Sequence, residues 1–193
     1  MIRSRLFRLI LAAICVGIAS TSTSAQQQQD SGDQSGNFDV RSSIGDLHVG
    51  KDATAEKAGL PLYPGARPKQ EKDNDPLNFG ILTESFGLKL VVAKYESDDA
   101  PEKVLAFYRG KMKKYGKVLE CHSLNDNSGF DNDEDQDRPK ELKCEGDNSG
   151  PVRELKVGTE DNAHIVAVEP GESGKGCIFT LVYVYHQRKK ADI

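Results

Sequence analysis

The residues whose type and spacing most suggest chemistry lie in an acidic stretch, NDNSGFDNDEDQD, at 125–137. Asp131, Asp133, Asp135 and Asp137 alternate there, and hard oxygen ligands at alternate positions are what a calcium loop supplies. The EF-hand register does not fit. Taking Gly129 as the turn glycine puts Leu124 at the first ligand position; starting at Asp131 puts Gln136 sixth and Leu142 twelfth. The stretch reads instead as a solvated hairpin tip whose like charges keep it extended. Calcium is the one ion it offers a place to, and no other cofactor is implied.

Nucleophile chemistry has little to build on. Cys15 falls in the apolar N-terminal run, which leaves Cys121, Cys144 and Cys177. Cys121 ends the strand-like run KVLEC and Cys144 ends ELKC, so the two can bridge the ends of a long hairpin. Closing a loop of about 24 residues stabilises by roughly 3 kcal/mol in the chain-entropy picture. Cys177 then remains as a buried thiol opening the last strand. His122 follows Cys121 directly, and neighbours in a strand point to opposite faces, so the two form no Cys–His pair. His48, His122, His164 and His186 lack the spacing of a zinc pair. Gly171-Glu172-Ser173-Gly174 is no nucleophile elbow, and Gly174-Lys175-Gly176 opens no helix that could cradle a phosphate. Carboxylates are too numerous for a dyad to stand out. For contact with a partner, Tyr63 in a proline-rich segment and Tyr183 and Tyr185 in the last strand are the residues suited to anchoring an interface, or else to packing in the core.

The compartment supports the disulfide. Arg3, Arg5 and Arg8 precede the uncharged run Leu9–Ala19, which spans roughly 16 Å as a helix. That is about half a bilayer core, right for a signal peptide and short for a membrane span. Thr23 and Ala25 suit a cut before Gln26, so 1–25 reads as a signal peptide and the remainder as a chain without a transmembrane segment, periplasmic or secreted. Cleavage removes three arginines and no acid, moving the net charge from −4 to −7. Such a chain repels nucleic acid, and the one basic cluster, Arg188-Lys189-Lys190, reads as a solvated tail.

The elements follow from periodicity. Residues 26–37 are apolar-free and read as a disordered leader. Phe38–Val49 forms a small hairpin, ATAEKA a short helix capped by Asp52 and ended by Gly59, and LPLYPGARP an extended edge closing in a Pro-Gly turn. NFGILTES and LKLVVAKY alternate about a turn at Phe86-Gly87, with Leu88, Leu90 and Val92 on one face. Asp99–Tyr115 is the best helix, with Asp99 and Glu102 as a capping box and Val104, Leu105, Tyr108, Met112 and Tyr115 on one apolar face. KVLEC, ELKCE, RELKVGT, HIVAVE and CIFTLVYVYH follow as strands, the last apolar on both faces and so central. The order ββαβββββ implies one α+β domain over 38–188, an antiparallel β-sheet with one principal amphipathic helix packed on one face, and a tail at 189–193.

LYPGAR and DDAPEKVLAFYRGKMKKYGKVLEC resemble a module of uncharacterised exported bacterial proteins that carry a "YPGA" segment and a "VLxFYR…YG" helix. The resemblance covers roughly Gly59 to Cys144 and implies an exported α+β domain; it brings no activity or site residues. The expectation is therefore an exported, non-catalytic binding or interaction module with a protein or small-molecule partner. A small exported hydrolase or a calcium-binding accessory protein is the alternative.

Overall fold

The structure, a computed structural model, describes residues 36–69, 76–123, 141–144, 148–171 and 174–188. The segment 1–25 read as a signal peptide, nearly all of the expected leader, the acidic stretch with its four aspartates and the tail at 189–193 lie outside them. Asn37, at the end of the leader, is already placed: its side-chain oxygen accepts the Lys51 N–H at 3.1 Å.

Among the described residues nine strands form one antiparallel sheet: β1 (Phe38–Ser42), β2 (Gly45–Gly50), β3 (Arg67–Pro68), β4 (Leu77–Thr83), β5 (Phe86–Ser97), β6 (Leu119–Ser123), β7 (Val152–Thr159), β8 (Asn162–Pro170) and β9 (Cys177–Arg188). Their order is β1-β2-β4-β5-β9-β8-β7-β6, and β3 pairs with the outer end of β5. The last strand takes the middle because it is apolar on both sides. Helix α1 (Pro101–Met112) lies across β7 and β8 and buries Val104, Leu105, Tyr108 and Met112. It continues into a 3-10 turn, Lys113–Tyr115, and Gly116 ends it at φ +139°. The fold is α+β, sheet-dominated, with a single helix among the described residues.

Alternation assigns the two sheet faces. On the helix side stand Val91, Ala93 and Tyr95 of β5, Leu155 and Val157 of β7, Val166 and Val168 of β8, and Cys177, Phe179 and Leu181 of β9. Phe179 is the hub, its ring centroid 5.5 Å from Tyr95, 5.6 Å from Tyr108 and 6.3 Å from Tyr63. The other side carries Val40, Leu47, Phe79, Leu90 and Val182, cross-strand neighbours that remain half-buried.

Four local expectations are corrected. The β4–β5 turn lies at Glu84-Ser85, because Thr83 Oγ1 accepts the Phe86 N–H at 3.0 Å and closes the turn there; Phe86 and Gly87 join the strand. ELKCE is no strand: β6 already occupies that edge of β7, and Glu141 makes an isolated bridge to Thr159. ATAEKA makes one turn, with Ala58 N–H on Thr54 O at 3.0 Å and Leu60 N–H on Ala55 O at 2.9 Å. Its cap is Thr54, whose Oγ1 accepts the Lys57 N–H. Asp99 does not cap α1. Ala100 holds the cap position without a side-chain bond, while the Asp99 carboxylate accepts from Tyr63 Oη at 2.8 Å and Lys103 Nζ at 2.7 Å.

Cys121 and Cys144 are joined, 23 residues apart in sequence. Cys177 is free and buried; burial, with Asp99 and Glu102 nearby, pushes its thiol up to about 11. A thiol so protonated is a poor nucleophile.

Candidate functional site

At the lower end of the helix-side face a cleft of about 530 Å³ opens between four elements. The Ala55–Gly59 turn forms one wall, Tyr115 another, and the β7–β8 hairpin end (Gly158, Thr159, Asn162) a third; Lys89 and Tyr183 close it. His164 stands in its floor. The alternation of β8 puts this histidine on the same face as Val166 and Val168, where it is only 6% exposed.

A buried imidazole needs partners, and His164 has an ordered set. Its ring stacks on Tyr115 at 3.9 Å and on Tyr183 at 4.7 Å, both within 25° of parallel. Lys114 Nζ lies 4.6 Å from the Tyr115 centroid and Lys89 Nζ 5.5 Å from that of Tyr183. The column therefore reads lysine, tyrosine, histidine, tyrosine, lysine. The Ala55–Gly59 turn fixes it from the side. Ala58 C=O receives Nδ1 of His164 at 2.9 Å, and Gly59 C=O accepts the Tyr115 hydroxyl. Gly59 is required twice over: φ is +75°, and a Cβ there would sit 2.8 Å from His164 Cε1.

The tautomer follows from donor–acceptor logic. A carbonyl only accepts, so Nδ1 carries the proton and Nε2 presents a lone pair. Burial lowers the His164 pKa below its ordinary 6.5, and Lys114 adds to that, so the ring is neutral near pH 7. Nε2 bonds to no described residue and is not among the sealed, unpartnered atoms, so it reaches solvent at the cleft. Lys89 forms no ion pair with a described residue; Lys57, the other lysine of the lining, is held by Asp52. The arrangement offers a hydrogen-bond acceptor at its floor and a cation at its rim.

A second polar cluster stands beside it on β1, β2 and β4. His48 Nδ1 is 2.8 Å from Asp39 and Nε2 is 3.3 Å from Asp52. Asn78 donates to Asp52 at 3.0 Å and Lys57 also bonds it. The Asp39 bond, with Asp52, raises the His48 pKa. Burial alone would raise the Asp52 carboxyl, yet its bonds from Lys57, Asn78 and His48 together hold it well below the usual carboxylate range. Here both ring nitrogens already have partners, Nδ1 in Asp39 and Nε2 in Asp52 and the Asn78 amide 2.9 Å away, so this imidazole leaves no open position for a ligand.

The two histidines pull stability in opposite directions with pH. The His164 contribution is intact above about 6.5 and is lost as pH falls through its lowered value. That of His48 is full below about 6.5 and is lost as pH rises through its raised value. Accordingly, His164→Gln should flatten the acid side of a urea-midpoint profile run between about pH 5 and about pH 8, and His48→Gln the alkaline side. Both variants keeping the wild-type curvature would contradict the assignment.

Of the tyrosines singled out by sequence, Tyr183 belongs to the cleft. Tyr185 is half-buried on the next pleat of the same face, its hydroxyl donating to Gln187 at 2.8 Å. Tyr63 is 8% exposed, edge-on to Phe107 at 5.2 Å, and serves the core rather than a surface. The four aspartates of the acidic stretch are outside the described residues, and among those described no group of three or more His, Cys, Asp or Glu side chains is placed to hold a metal ion. His164 carried no sequence signal beyond being the lone titratable residue in the apolar stripe of β8. No helix among the described residues is long and apolar enough to cross a membrane. Compared with family models, curated proteins and solved structures, the chain shows no match, so the site stands on its geometry alone.

Proposed function

We propose that the chain is an exported binding module that takes a small organic acid bearing an O–H or N–H donor in the His164 cleft. The observation that carries the reading is the open Nε2 of a buried, neutral imidazole. Such an atom leaves hydrogen-bonding capacity unused, and a ligand donor would satisfy it. Lys89, on the far side of the Tyr183 ring, supplies the charge for an acid group. The disulfide and the signal-like N-terminus support export, as does the resemblance to exported bacterial modules. A free imidazole lone pair is also what a general base needs. Catalysis is the weaker reading because no described serine, threonine or cysteine side chain is hydrogen-bonded to His164.

The probe is 4-hydroxybenzoate, whose phenol proton and carboxylate sit at opposite ends of a rigid ring. Benzoate lacks the donor and 4-hydroxybenzyl alcohol lacks the charge. By calorimetry the full probe should bind at least about tenfold more tightly than either control. Lys89→Met should abolish the advantage over the alcohol, and His164→Phe the advantage over benzoate. Equal affinities for all three, or no heat from any at millimolar concentration, would count against the site.

A further inference from the structure

The side of the sheet turned away from α1 has no described element packed against its β1-β2-β4-β5-β9 portion. There Leu47, Phe79, Ile81, Leu90 and Val182 form a continuous apolar surface, each only half-buried. The portion over β6–β8 differs. Cys121, Glu154, Lys156 and Ile165 are at most 3% exposed there, beside the bridge to Cys144. One half of a single face is closed and the other open.

We infer that this open half-face is a self-association surface, packing back to back on the same face of a second copy of the chain. Three observations select that occupant. First, the segments outside the described residues that follow the signal-like run are poor in apolar side chains: 26–35, 70–75, 145–147 and 172–173 hold none, 124–140 only Leu124 and Phe130, and 189–193 only Ala191 and Ile193. Second, the acidic side chains described on this face are each matched by a base. Glu154 is met by Lys156 at 3.1 Å, Glu169 by Lys94 at 3.8 Å, and Glu96 by Arg67 at 3.2 Å. A copy of an acidic chain can therefore approach these groups without repulsion. Third, the area is sufficient. Five strands about 4.8 Å apart and about seven residues long at ~3.4 Å each present roughly 570 Å² of sheet plane per copy. Two copies together exceed the roughly 1,000 Å² expected of a specific interface. Packing of two such faces is sheet-on-sheet and isologous, which a two-fold dimer closes. The cleft lies on the opposite face, so both copies keep it open.

The test is sedimentation velocity on the exported protein, purified with its own processing, from about 1 µM to about 500 µM. The expected result is a concentration-dependent doubling of mass, weakened at least about 30-fold by Leu90→Lys, in which a solvent-facing lysine would leave the monomer folded. Methyl spectra of the unmodified protein on dilution give a reading that needs no variant: Leu47, Ile81, Leu90 and Val182 should move and the α1 side should not. A monomer throughout, with static methyls, would overturn the inference. So would a dimer indifferent to Leu90→Lys whose dilution shifts lie elsewhere, or a monomer that sediments with phosphatidylcholine vesicles through this face.

Discussion

Replacing Phe179 with alanine should cost about 3–5 kcal/mol of stability, the largest effect expected from any single truncation in this domain. Phe179 is fully buried on the central strand, and its ring meets Tyr63, Tyr95 and Tyr108 from β3's approach, β5 and α1. Truncation removes the transfer free energy of an aromatic side chain and leaves a cavity among three rings that cannot collapse together. Tyr95 is pinned because its hydroxyl accepts the Ala55 N–H at 2.9 Å, and Tyr63 by its bond to Asp99. A domain of this size has roughly 5–15 kcal/mol in total, so the variant should sit near the edge of folding. The check is the urea midpoint with its slope; a loss under about 1 kcal/mol at unchanged slope would show the aromatic hub is not where the core is anchored.

The second large effect concerns charge. Glu154 and Lys156 are 1% and 2% exposed, 3.1 Å apart on alternate residues of β7, with Ser123 Oγ donating to Glu154 at 2.9 Å. Removing one partner from a buried pair strands the other in a medium that solvates it poorly, a loss of about 3–5 kcal/mol. Lys156→Met should therefore be severely destabilising although it keeps the side-chain volume. Adding Glu154→Met should recover most of that loss, because two apolar groups need no solvation. The measurement is a double-mutant cycle by chemical denaturation. Additive losses in the double variant would mean the pair is not coupled as its geometry requires.

Much of this architecture was legible in the sequence. Period-two alternation located β4, β5, β7, β8 and β9, and the two-sided apolarity of CIFTLVYVY placed β9 at the centre. The spacing of Val104, Leu105, Tyr108 and Met112 gave the buried face of α1. The disulfide followed from two strand-end cysteines in a chain with a signal-like N-terminus, although Cys144 turned out to follow an irregular segment rather than a strand. What failed was local chemistry decided by distant residues. Asp99 looks like a helix cap until Tyr63, 36 residues earlier, claims its carboxylate. Phe86-Gly87 looks like a turn until Thr83 closes the chain two residues sooner. The cleft was invisible for the same reason. His164 receives its tautomer from Ala58, 106 residues away, and its stacking partners come from the end of α1 and from β9. Tyr183 was legible as an anchor, but its use as one plate of a stack was not. Alternation tells which face a residue takes; it does not tell which carbonyl waits there.

The claim that organises this account is a neutral His164 with Nε2 open to a ligand, and the most direct measurement is nitrogen-15 NMR of its imidazole, followed through pH and then with 4-hydroxybenzoate. The account predicts a ring that titrates below 6.5, carries its proton on Nδ1 near neutrality, and shows Nε2 as the nitrogen that shifts on adding the probe. A ring protonated at pH 7, the opposite tautomer, or an Nε2 resonance unmoved by probe at millimolar concentration would contradict it.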